Sequence, residues 1–548
     1  MLFSILFRKY PLFRTAIYAV LVVVSVFLIS FFTTKTRKIP VIHALNPAIG
    51  VGGDTVSILG ENFGQERGTS FVEIGTNRIT ASGYVFWSDS EIKIVLPQNV
   101  QDGFLSVSTQ SGKSVPLFFA NAAGIPVPSK SVSRAVLPAL FAVSPTSAAV
   151  GSVVVLSGER FGSVRGNSLV VFREDGTENE CFALESESDY ESWSDGEIRV
   201  RVPDGANSGT VFVRTESGES IAQKFSVLHP YGKKTFLSSQ TYSIQLEENI
   251  EEISASSGNI TLRVPRPDIS SSQPAVLLNE STPEPIIADF KNTIVYTVSL
   301  SGKSGKKVDF LQNFVVTRRE VKTEIEKQKV RAFSAKEKAR PLYKKYTSPD
   351  ALVLSDNTAI VSLSQEITST TKNPYEQARL LYEYMISSFS ILTSPKSTGE
   401  SALELLSKKS GDAYDFAVIY ASLLRAAGIP SVPVSGILID SSLKAQNHWW
   451  TEFYLEGIGW IPADPALGAS LPYTPFREIE NARTFYFGNL DAQHISFGRG
   501  FSSMKSSMPE GKIVRRPRSF SFQSIWEEAE GNVNYSSLWS DPVVLGVY

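Results

Sequence analysis

Two segments of the chain have apolar side chains at the three- and four-residue spacing of an amphipathic helix. The first begins at Pro374, and the second begins after Asp412, a residue type that often caps a helix N-terminus. Gly428 and Pro430 follow the second segment, and this combination commonly ends a helix. The pattern predicts two helices that each bury one face in a core. The apolar positions are Tyr375, Ala378, Leu381, Tyr382, Met385 and Phe389 in the first helix, and Phe416, Ile419, Tyr420, Leu423, Leu424 and Ala427 in the second.

A strand is predicted downstream, where the residues of HWWTEFYL alternate between two faces. His448 and Trp450 share one of these faces, and a short glycine-containing turn then leads to GWIPADP. If Leu455 pairs with Gly459, Asp464 falls opposite Trp450 and diagonal to His448, within roughly 7 to 8 Å at the backbone. A carboxylate at that position can fix the tautomer and orientation of the imidazole, as the third member of a catalytic triad does.

An internal repeat precedes these elements. LNPAIGVGGDTVSILGENFG (residues 45–64) matches VSPTSAAVGSVVVLSGERFG (residues 143–162) at an offset of 98, and FWSDSEIKIVLP then matches SWSDGEIRVRVP at an offset of 106. An insertion of eight residues between Gly162 and Trp193 accounts for the change of offset. In both copies, short runs of Val, Ile, Phe and Thr are separated by turn residues, which predicts small all-β sandwiches. The copies, over residues 41–120 and 137–228, resemble the IPT/TIG family of immunoglobulin-like domains.

The resemblance to the IPT/TIG family implies either rigid spacers or a face that binds a specific protein. Cys181, the only cysteine of the chain, lies in the insertion region of the second copy. We expect it to be a small half-buried residue rather than a reactive thiol. It lies more than two hundred residues before the second predicted helix, so we do not expect it to act there.

Strand-like runs continue over residues 231–330, and they predict a third sandwich of a different kind. We predict a C-terminal tail over residues 504–548. The polar stretch SSMKSSMPEGKIVRRPRS (residues 502–519) is expected to be flexible, whereas YSSLWSDPVVLGVY (residues 535–548) could dock elsewhere on the protein.

The N-terminal region has a membrane-spanning pattern. TAIYAVLVVVSVFLISFFTT (residues 15–34) contains twenty uncharged residues. At about 1.5 Å per residue, this helix would cross a hydrocarbon core of roughly 30 Å. We predict a cytoplasmic tail and a transmembrane anchor over residues 1–38 rather than a cleaved signal peptide, because no small-x-small cleavage site follows. Three cations flank each side, so orientation rests on the short N-terminal tail, which places the bulk of the chain in the periplasm or another extracytoplasmic space.

Composition narrows the range of functions. The formal net charge of -2 provides no basic excess for nucleic acid, which is therefore not an expected partner. A single cysteine excludes an intrachain disulfide and a multi-cysteine metal site, and we predict no cofactor or metal. A chain of 548 residues needs several hydrophobic cores. The sequence does not indicate an oligomeric state.

Three motifs, in order, resemble the bacterial transglutaminase-like domain of the papain-like superfamily, over residues 340–503. They are GDAYDFAVIYASLLRAAGIP, HWWTEFYLEGIGWIPADP and FYFGNLDAQHISFGRG. The resemblance implies an α+β papain-like fold, with His448 as the general base and Asp464 as the acid that orients it. Ala413 stands where the family has its nucleophilic cysteine, and Val432 stands where the family often has an arginine.

The sequence as a whole predicts a multidomain protein with an N-terminal transmembrane helix, all-β immunoglobulin-like sandwiches and an α+β papain-like, transglutaminase-like domain. The methyl group of Ala413 cannot attack an amide. One hypothesis is therefore a membrane-anchored pseudoenzyme that binds a protein or peptide, or that acts as an envelope scaffold. The alternative is an active acyl-transfer enzyme, of transglutaminase or cysteine-protease type, with another nucleophile. Ser410 lies on the preceding loop, and Tyr414 is rotated by about 100° around the helix, so neither is placed like the lost thiol.

Overall fold

A computed structural model of the chain describes residues 15, 18, 20, 22–24, 38–75, 77–101, 103–121, 137–184, 188–394, 396, 401–505, 512–514 and 522–548. The chain divides into two compact units, one of residues 1–129 with Tyr548 and the other of residues 130–547. The predicted membrane span, residues 15–34, lies mostly outside the described residues. Within the residues that are described, no helix is both long enough and apolar enough to cross a bilayer.

The first unit contains an immunoglobulin-like sandwich. Its strands are β1 (Val41–Asn46), β2 (Ile49–Gly50), β3 (Thr55–Glu61), β4 (Phe71–Ile74), β5 (Asn77–Arg78), β6 (Tyr84–Trp87), β7 (Glu91–Val95), β8 (Gly103–Thr109), β9 (Gly112–Lys113) and β10 (Leu117–Asn121). One sheet has the order β1-β3-β7-β6, and the other has the order β2-β10-β8-β4-β5 with β9 paired to β8. A 3-10 turn, Ala81–Gly83, precedes β6.

The second unit begins with a sandwich of the same design. Its strands are β11 (Ala139–Ser144), β12 (Ser147–Ala149), β13 (Val153–Glu159), β14 (Leu169–Glu174), β15 (Glu180–Phe182), β16 (Tyr190–Trp193), β17 (Glu197–Arg201), β18 (Gly209–Thr215), β19 (Gly218–Glu219) and β20 (Gln223–Leu228). The sheet orders are β11-β13-β17-β16 and β12-β20-β18-β14-β15, with β19 paired to β18. The predicted repeat is thus a repeat of strand order as well as of sequence.

The repeated glycine and tryptophan positions have a shared structural role. The indole Nε1 of Trp87 donates a hydrogen bond to the carbonyl oxygen of Gly64 at 3.1 Å, and Trp193 donates to Gly162 at 3.0 Å. The offset is 98 residues at β4 and β14 but 106 at β6 and β16. The inserted residues of the second copy therefore lie between β14 and β16, in the region of β15.

A long strand organises the next part of the second unit. The strands here are β21 (Gly232–Pro265), β22 (Ala275–Thr282), β23 (Thr293–Ser299) and β24 (Val308–Ile325). The first half of β21 pairs with β24, its last residues pair with β23, and β22 pairs with the other edge of β24. A 3-10 turn, Lys327–Lys329, follows β24.

An α+β domain follows. Its helices are α1 (Ala335–Lys338), α2 (Pro341–Thr347), α3 (Thr358–Thr368), α4 (Pro374–Ser388), α5 (Glu404–Lys408), α6 (Ala413–Ala426), α7 (Pro465–Gly468) and α8 (Ala482–Phe485). Its strands are β25 (Ser390–Ile391), β26 (Ser410–Gly411), β27 (Ser431–Ile439), β28 (Ala445–Leu455), β29 (Gly459–Ala463) and β30 (His494–Arg499). The main sheet has the order β29-β28-β27-β30. Helices α4 and α6 confirm the two predicted helices.

The C-terminal residues complete the preceding sheet, which corrects the prediction of a separate third sandwich. Strands β31 (Lys512–Val514), β32 (Glu527–Trp539) and β33 (Val543–Val547) belong to the same sheet as the four strands β21, β22, β23 and β24. This sheet has seven strands. Residues 231–330 therefore do not form a self-contained sandwich, and the predicted C-terminal tail, residues 504–548, contains three strands. The physical reason is that the long strand β21 would otherwise leave backbone N–H and C=O groups unpaired along its edges. The segment YSSLWSDPVVLGVY, predicted to dock elsewhere, lies largely in β32 and β33. The stretch predicted to be flexible lies mostly outside the described residues.

The second sandwich is fixed to the α+β domain by buried contacts. Asp204 accepts a hydrogen bond from the backbone N–H of Trp460 at 2.9 Å and pairs with the ammonium group of Lys234 at 2.8 Å. An antiparallel bridge also joins Val150 to Gly457 in the turn between β28 and β29. The second sandwich and the sheet that carries His448 and Asp464 therefore form one packed body.

Candidate functional site

The start of α6 determines the environment of position 413. Asp412 is the N-cap, and its side chain accepts a hydrogen bond from the backbone N–H of Asp415 at 3.0 Å. The Asp415 carboxylate accepts the return hydrogen bond from the N–H of Asp412 at 3.3 Å, which completes a capping box. Ala413 is the first residue of the helix and is 7% exposed. The predicted cap is therefore present, with a methyl group where the family has its thiol.

A buried ion pair lies in the same first turn. The ammonium group of Lys396 is 2.6 Å from the Asp415 carboxylate, and the backbone N–H of Lys396 donates to Asp412 at 2.7 Å. Lys396 thereby offsets negative charge that the capping box brings to the helix start. A thiolate at position 413 would have this cation near it, together with the positive end of the helix dipole.

Strands β28 and β29 position the two polar residues that the sequence singled out. Leu455 pairs with Gly459, as the predicted turn requires, and β29 ends one residue before Asp464. Nε2 of His448 lies 2.6 Å from Oδ2 of Asp464. The structure therefore brings these two side chains into direct contact. The other oxygen of Asp464 accepts a hydrogen bond from the N–H of Leu467 at 2.9 Å, which caps α7.

The charge state of Asp464 follows from its neighbours. Burial alone would raise the pKa of Asp464, but the imidazoles of His448 and His494 hold that pKa well below its usual range. Both oxygens of the carboxylate accept hydrogen bonds that favour the anion. Asp464 is therefore a carboxylate, with the geometry to orient an imidazole.

The structure adds a second histidine that sequence reasoning missed. Nε2 of His494 lies 3.2 Å from Oδ2 of Asp464, and Nδ1 lies 2.7 Å from Oδ1 of Asp491. Burial would lower the pKa of His494, but Asp491 and Asp464 raise it above its ordinary value. Asp491 also accepts a hydrogen bond from the hydroxyl group of Tyr486 at 2.9 Å. The available signal was the spacing of Asp491 and His494 in FYFGNLDAQHISFGRG, but nothing local in that motif places either residue beside Asp464.

Aromatic rings enclose the histidine pair and connect it to α6. Trp450 stacks on His448 with 6.3 Å between ring centroids, and its edge meets His494 at 5.3 Å. On the other face of β28, Trp449 packs against Tyr414, with ring centroids 5.7 Å apart. The hydroxyl group of Thr451 donates to the carbonyl oxygen of Ala417 at 2.9 Å. The first turns of α6 and the His448 end of β28 are therefore directly packed.

Position 432, where the transglutaminase-like family often has an arginine, is a valine in this chain. Val432 lies opposite Glu452 in the sheet, and Arg499 from β30 places its guanidinium 2.6 Å from the Glu452 carboxylate. Burial would raise the pKa of Glu452, but Arg499 and other cations nearby lower it. Arg499 thus supplies a positive charge beside Glu452 from another strand.

Cys181 cannot replace the missing thiol in this geometry. It lies in β15, within the second sandwich, and is buried. Burial raises its pKa to about 12. A thiol with that pKa is protonated and unreactive near neutral pH.

Comparisons with known proteins agree with these observations. The family profile of the Transglutaminase-like superfamily matches residues 361–465, and that of the IPT/TIG domain matches residues 40–121. An uncharacterised protein from Haemophilus influenzae is 24% identical over 161 residues, which cover 24% of this chain and 44% of the relative. A cyclomaltodextrin glucanotransferase from Paenibacillus macerans is 39% identical over 86 residues, which cover 16% of this chain and 12% of the relative.

The chain spans less than half the length of these two curated relatives. Among solved structures, a candidate cysteine protease from Cytophaga hutchinsonii aligns with a TM-score of 0.38 and 14% identity, over 57% of this chain and 93% of that one. The matched residues contain Ala413, His448 and Asp464. The chain thus contains a transglutaminase-like superfamily core at residues 361–465 and an IPT/TIG domain at residues 40–121.

Proposed function

We propose that the protein is a membrane-anchored, extracytoplasmic pseudoenzyme whose transglutaminase-like domain binds a protein or peptide, or scaffolds the cell envelope, without acyl transfer. The observation that supports this is Ala413 at the capped start of α6, in a chain that keeps the His448–Asp464 pair. A general base with no nucleophile to activate cannot form a thioester or ester intermediate.

Among the described residues, the hydroxyl groups of Tyr414 and Ser435 are poorly placed to act as a substitute nucleophile. Tyr414 packs its ring between Trp449 and Phe522, with centroid distances of 5.7 and 5.8 Å. The buried hydroxyl group of Ser435 has no hydrogen-bond partner within the described residues. Ser435 is paired with Trp449, however, so it points to the opposite face of the sheet from His448. The positions of both hydroxyl groups argue against covalent acyl transfer by Tyr414 or Ser435.

A cleft in the same unit supports the binding part of the proposal. It has a volume of about 790 Å³ and lies among the second sandwich, α2 and the end of β30. Its lining includes charges of both signs and aromatic rings, among them Arg165, Asp268, Lys345, Tyr346 and Phe501. Such a mixed polar and aromatic surface suits a peptide segment, whose backbone needs hydrogen bonds and whose side chains need apolar contacts.

The alternative function is acyl transfer by an unrecognised nucleophile, and intact-mass measurement separates the two. The purified protein is incubated with an activated ester donor and, separately, with a glutamine-containing peptide and a primary amine. We expect no covalent adduct and no amine incorporation. The Ala413→Cys variant, treated in parallel, shows whether the donors reach the site. A wild-type adduct that survives denaturation and maps to one side chain would establish the alternative.

A further inference from the structure

Three metal-binding atoms converge at the buried end of the sheet. They are Nε2 of His448, Oδ2 of Asp464 and Nε2 of His494, and all of them lie within 4.8 Å of one another. We propose that these three side chains bind a divalent transition-metal ion, with Zn²⁺ as the best match to the ligand set. The proposal is independent of the proposed function, because it concerns the two histidines and Asp464 rather than position 413.

The distances from each histidine nitrogen to Asp464 are close to those of a coordination sphere. Zn²⁺ binds imidazole nitrogen and carboxylate oxygen at about 2.0 to 2.2 Å, so its ligand atoms lie roughly 3.2 to 3.5 Å apart. The His494–Asp464 distance is 3.2 Å, and the His448–Asp464 distance is 2.6 Å. An ion among them requires the His448–Asp464 contact to open by less than about 1 Å, and it requires the two histidine nitrogens, which lie within 4.8 Å of each other, to reach the same spacing. Two imidazoles and one carboxylate are also a common ligand set for late first-row metals.

The outer contacts have the arrangement that metal-binding histidines use. Nδ1 of His494 faces the Asp491 carboxylate at 2.7 Å, which fixes the ring and presents Nε2 to the other two ligands. Asp491 is in turn held by the hydroxyl group of Tyr486 at 2.9 Å and by the N–H of Gln493 at 3.0 Å. A carboxylate behind a histidine in this way raises the basicity of the ligand nitrogen. The ligand shell is therefore oriented by protein contacts outside it.

Charge balance also favours a cation. Asp464 and Asp491 are both buried, and their carboxylates lie on either side of His494. Two buried negative charges are costly unless they are neutralised. A divalent ion held by Oδ2 of Asp464 would place positive charge within this buried cluster.

The test is metal binding by the full-length protein, in detergent, after treatment with a chelator. Zn²⁺ is added back, excess ion is removed, and bound zinc is measured by elemental mass spectrometry together with the thermal unfolding midpoint. We expect one equivalent of retained Zn²⁺ and a higher unfolding midpoint. His494→Asn and His448→Asn should each abolish retention, and Asp491→Asn should weaken affinity by about 10- to 100-fold. His229→Asn, which removes an imidazole outside the cluster, should retain the ion.

The absorption spectrum of the Co²⁺-loaded wild-type protein provides a second test, which does not require any variant to fold. The wild-type protein loaded with Co²⁺ should show the visible absorption bands of a tetrahedral or five-coordinate site, and Zn²⁺ should displace them. Failure of the wild-type protein to retain either ion would overturn the proposal. Retention by folded His494→Asn and His448→Asn variants would overturn it as well. Neither result would change what is expected of acyl transfer at position 413.

Discussion

His448 contacts Asp464 through Nε2 at 2.6 Å, in a place where both side chains are almost fully removed from solvent. This contact occupies Nε2 of His448, so Nδ1 is the ring nitrogen that could face another partner. In an acyl-transfer enzyme that partner would be a nucleophile, but α6 begins with Ala413. The geometry of a base and its orienting acid is therefore retained in a domain that lacks the group they would activate.

A cysteine placed at position 413 should ionise readily. In the Ala413→Cys variant with Cys181→Ser, we expect a thiol pKa below the usual value of about 8.5, because the positive end of the helix dipole and the ammonium group of Lys396 favour the thiolate. Thiolate absorbance as a function of pH measures this, and His448→Ala should slow the reaction with iodoacetamide. Ser369→Cys, at the exposed C-terminal end of α3, is the control, since the helix dipole there has the opposite sign. A pKa at or above the usual value would favour a purely structural role for the domain.

Loss of the Asp464 carboxylate should destabilise the α+β domain. Asp464→Ala removes the partner of two buried imidazoles and the cap of α7, so we expect a loss of about 3 to 5 kcal/mol in the free energy of unfolding. Urea denaturation followed by tryptophan fluorescence measures it, since Trp450 stacks on His448. Asp356→Ala, at an exposed position, should change stability by no more than about 0.5 kcal/mol. Equal stabilities of the two variants would show that the network contributes little to folding.

Stability should depend on pH through Glu248 in the seven-stranded sheet. Burial raises the pKa of Glu248 from its ordinary value of 4.5 to about 8. The folded protein therefore holds this proton where the unfolded chain releases it, so stability falls as pH rises from about 4.5 to 8, by up to roughly 1.4 kcal/mol per pH unit. Glu248→Gln should remove that slope, whereas Glu280→Gln, an exposed change on β22, should keep it. An unchanged slope in Glu248→Gln would contradict the assignment.

The C-terminal strands should be needed for the stability of the second unit. Trp526 is 2% exposed in the core beneath the seven-stranded sheet, whereas Leu538 on β32 is 57% exposed. We expect Trp526→Ala to lower the free energy of unfolding by about 3 to 5 kcal/mol. Leu538→Ala should be neutral within about 0.5 kcal/mol. Limited proteolysis of residues 231–330 provides the measurement, and equal resistance in the two variants would show that Trp526 contributes little to the stability of the sheet.

The membrane anchor remains a prediction from the sequence. Residues 15–34 carry no charge, so the protein should stay with membranes after high-salt and carbonate washes. Protease added to intact spheroplasts of a bacterial host should digest the chain beyond the span. A soluble form that begins near Ile39 would argue for cleavage, and a C-terminal domain protected until permeabilisation would reverse the orientation.

Local physical chemistry allowed much of the site to be predicted from the sequence. The Asp412 cap and the apolar face of α6 depend on helical geometry within a few turns. The contact between His448 and Asp464 depends on strand alternation and on a short turn that fixes the register of Leu455 with Gly459. The internal repeat could likewise be found by comparing two parts of the same sequence. These features involve residues close in sequence, so their spacing is sufficient to place them.

The remaining features depend on contacts between distant residues. His494 reaches Asp464 because β30 pairs with the edge of β27 that faces away from β28, and no local period encodes that strand order. Nothing local in the C-terminal segment indicates that Glu527 and Glu528 lie in a core. Both are buried, however: Glu527 accepts hydrogen bonds from Trp539 at 2.6 Å and Ser537 at 2.8 Å, and Glu528 pairs with Arg263 at 3.2 Å. The sequence by itself thus determined the helices, the turn and the missing thiol, whereas tertiary structure decided which polar residues are buried, because burial of a charge depends on partners that only the folded chain supplies.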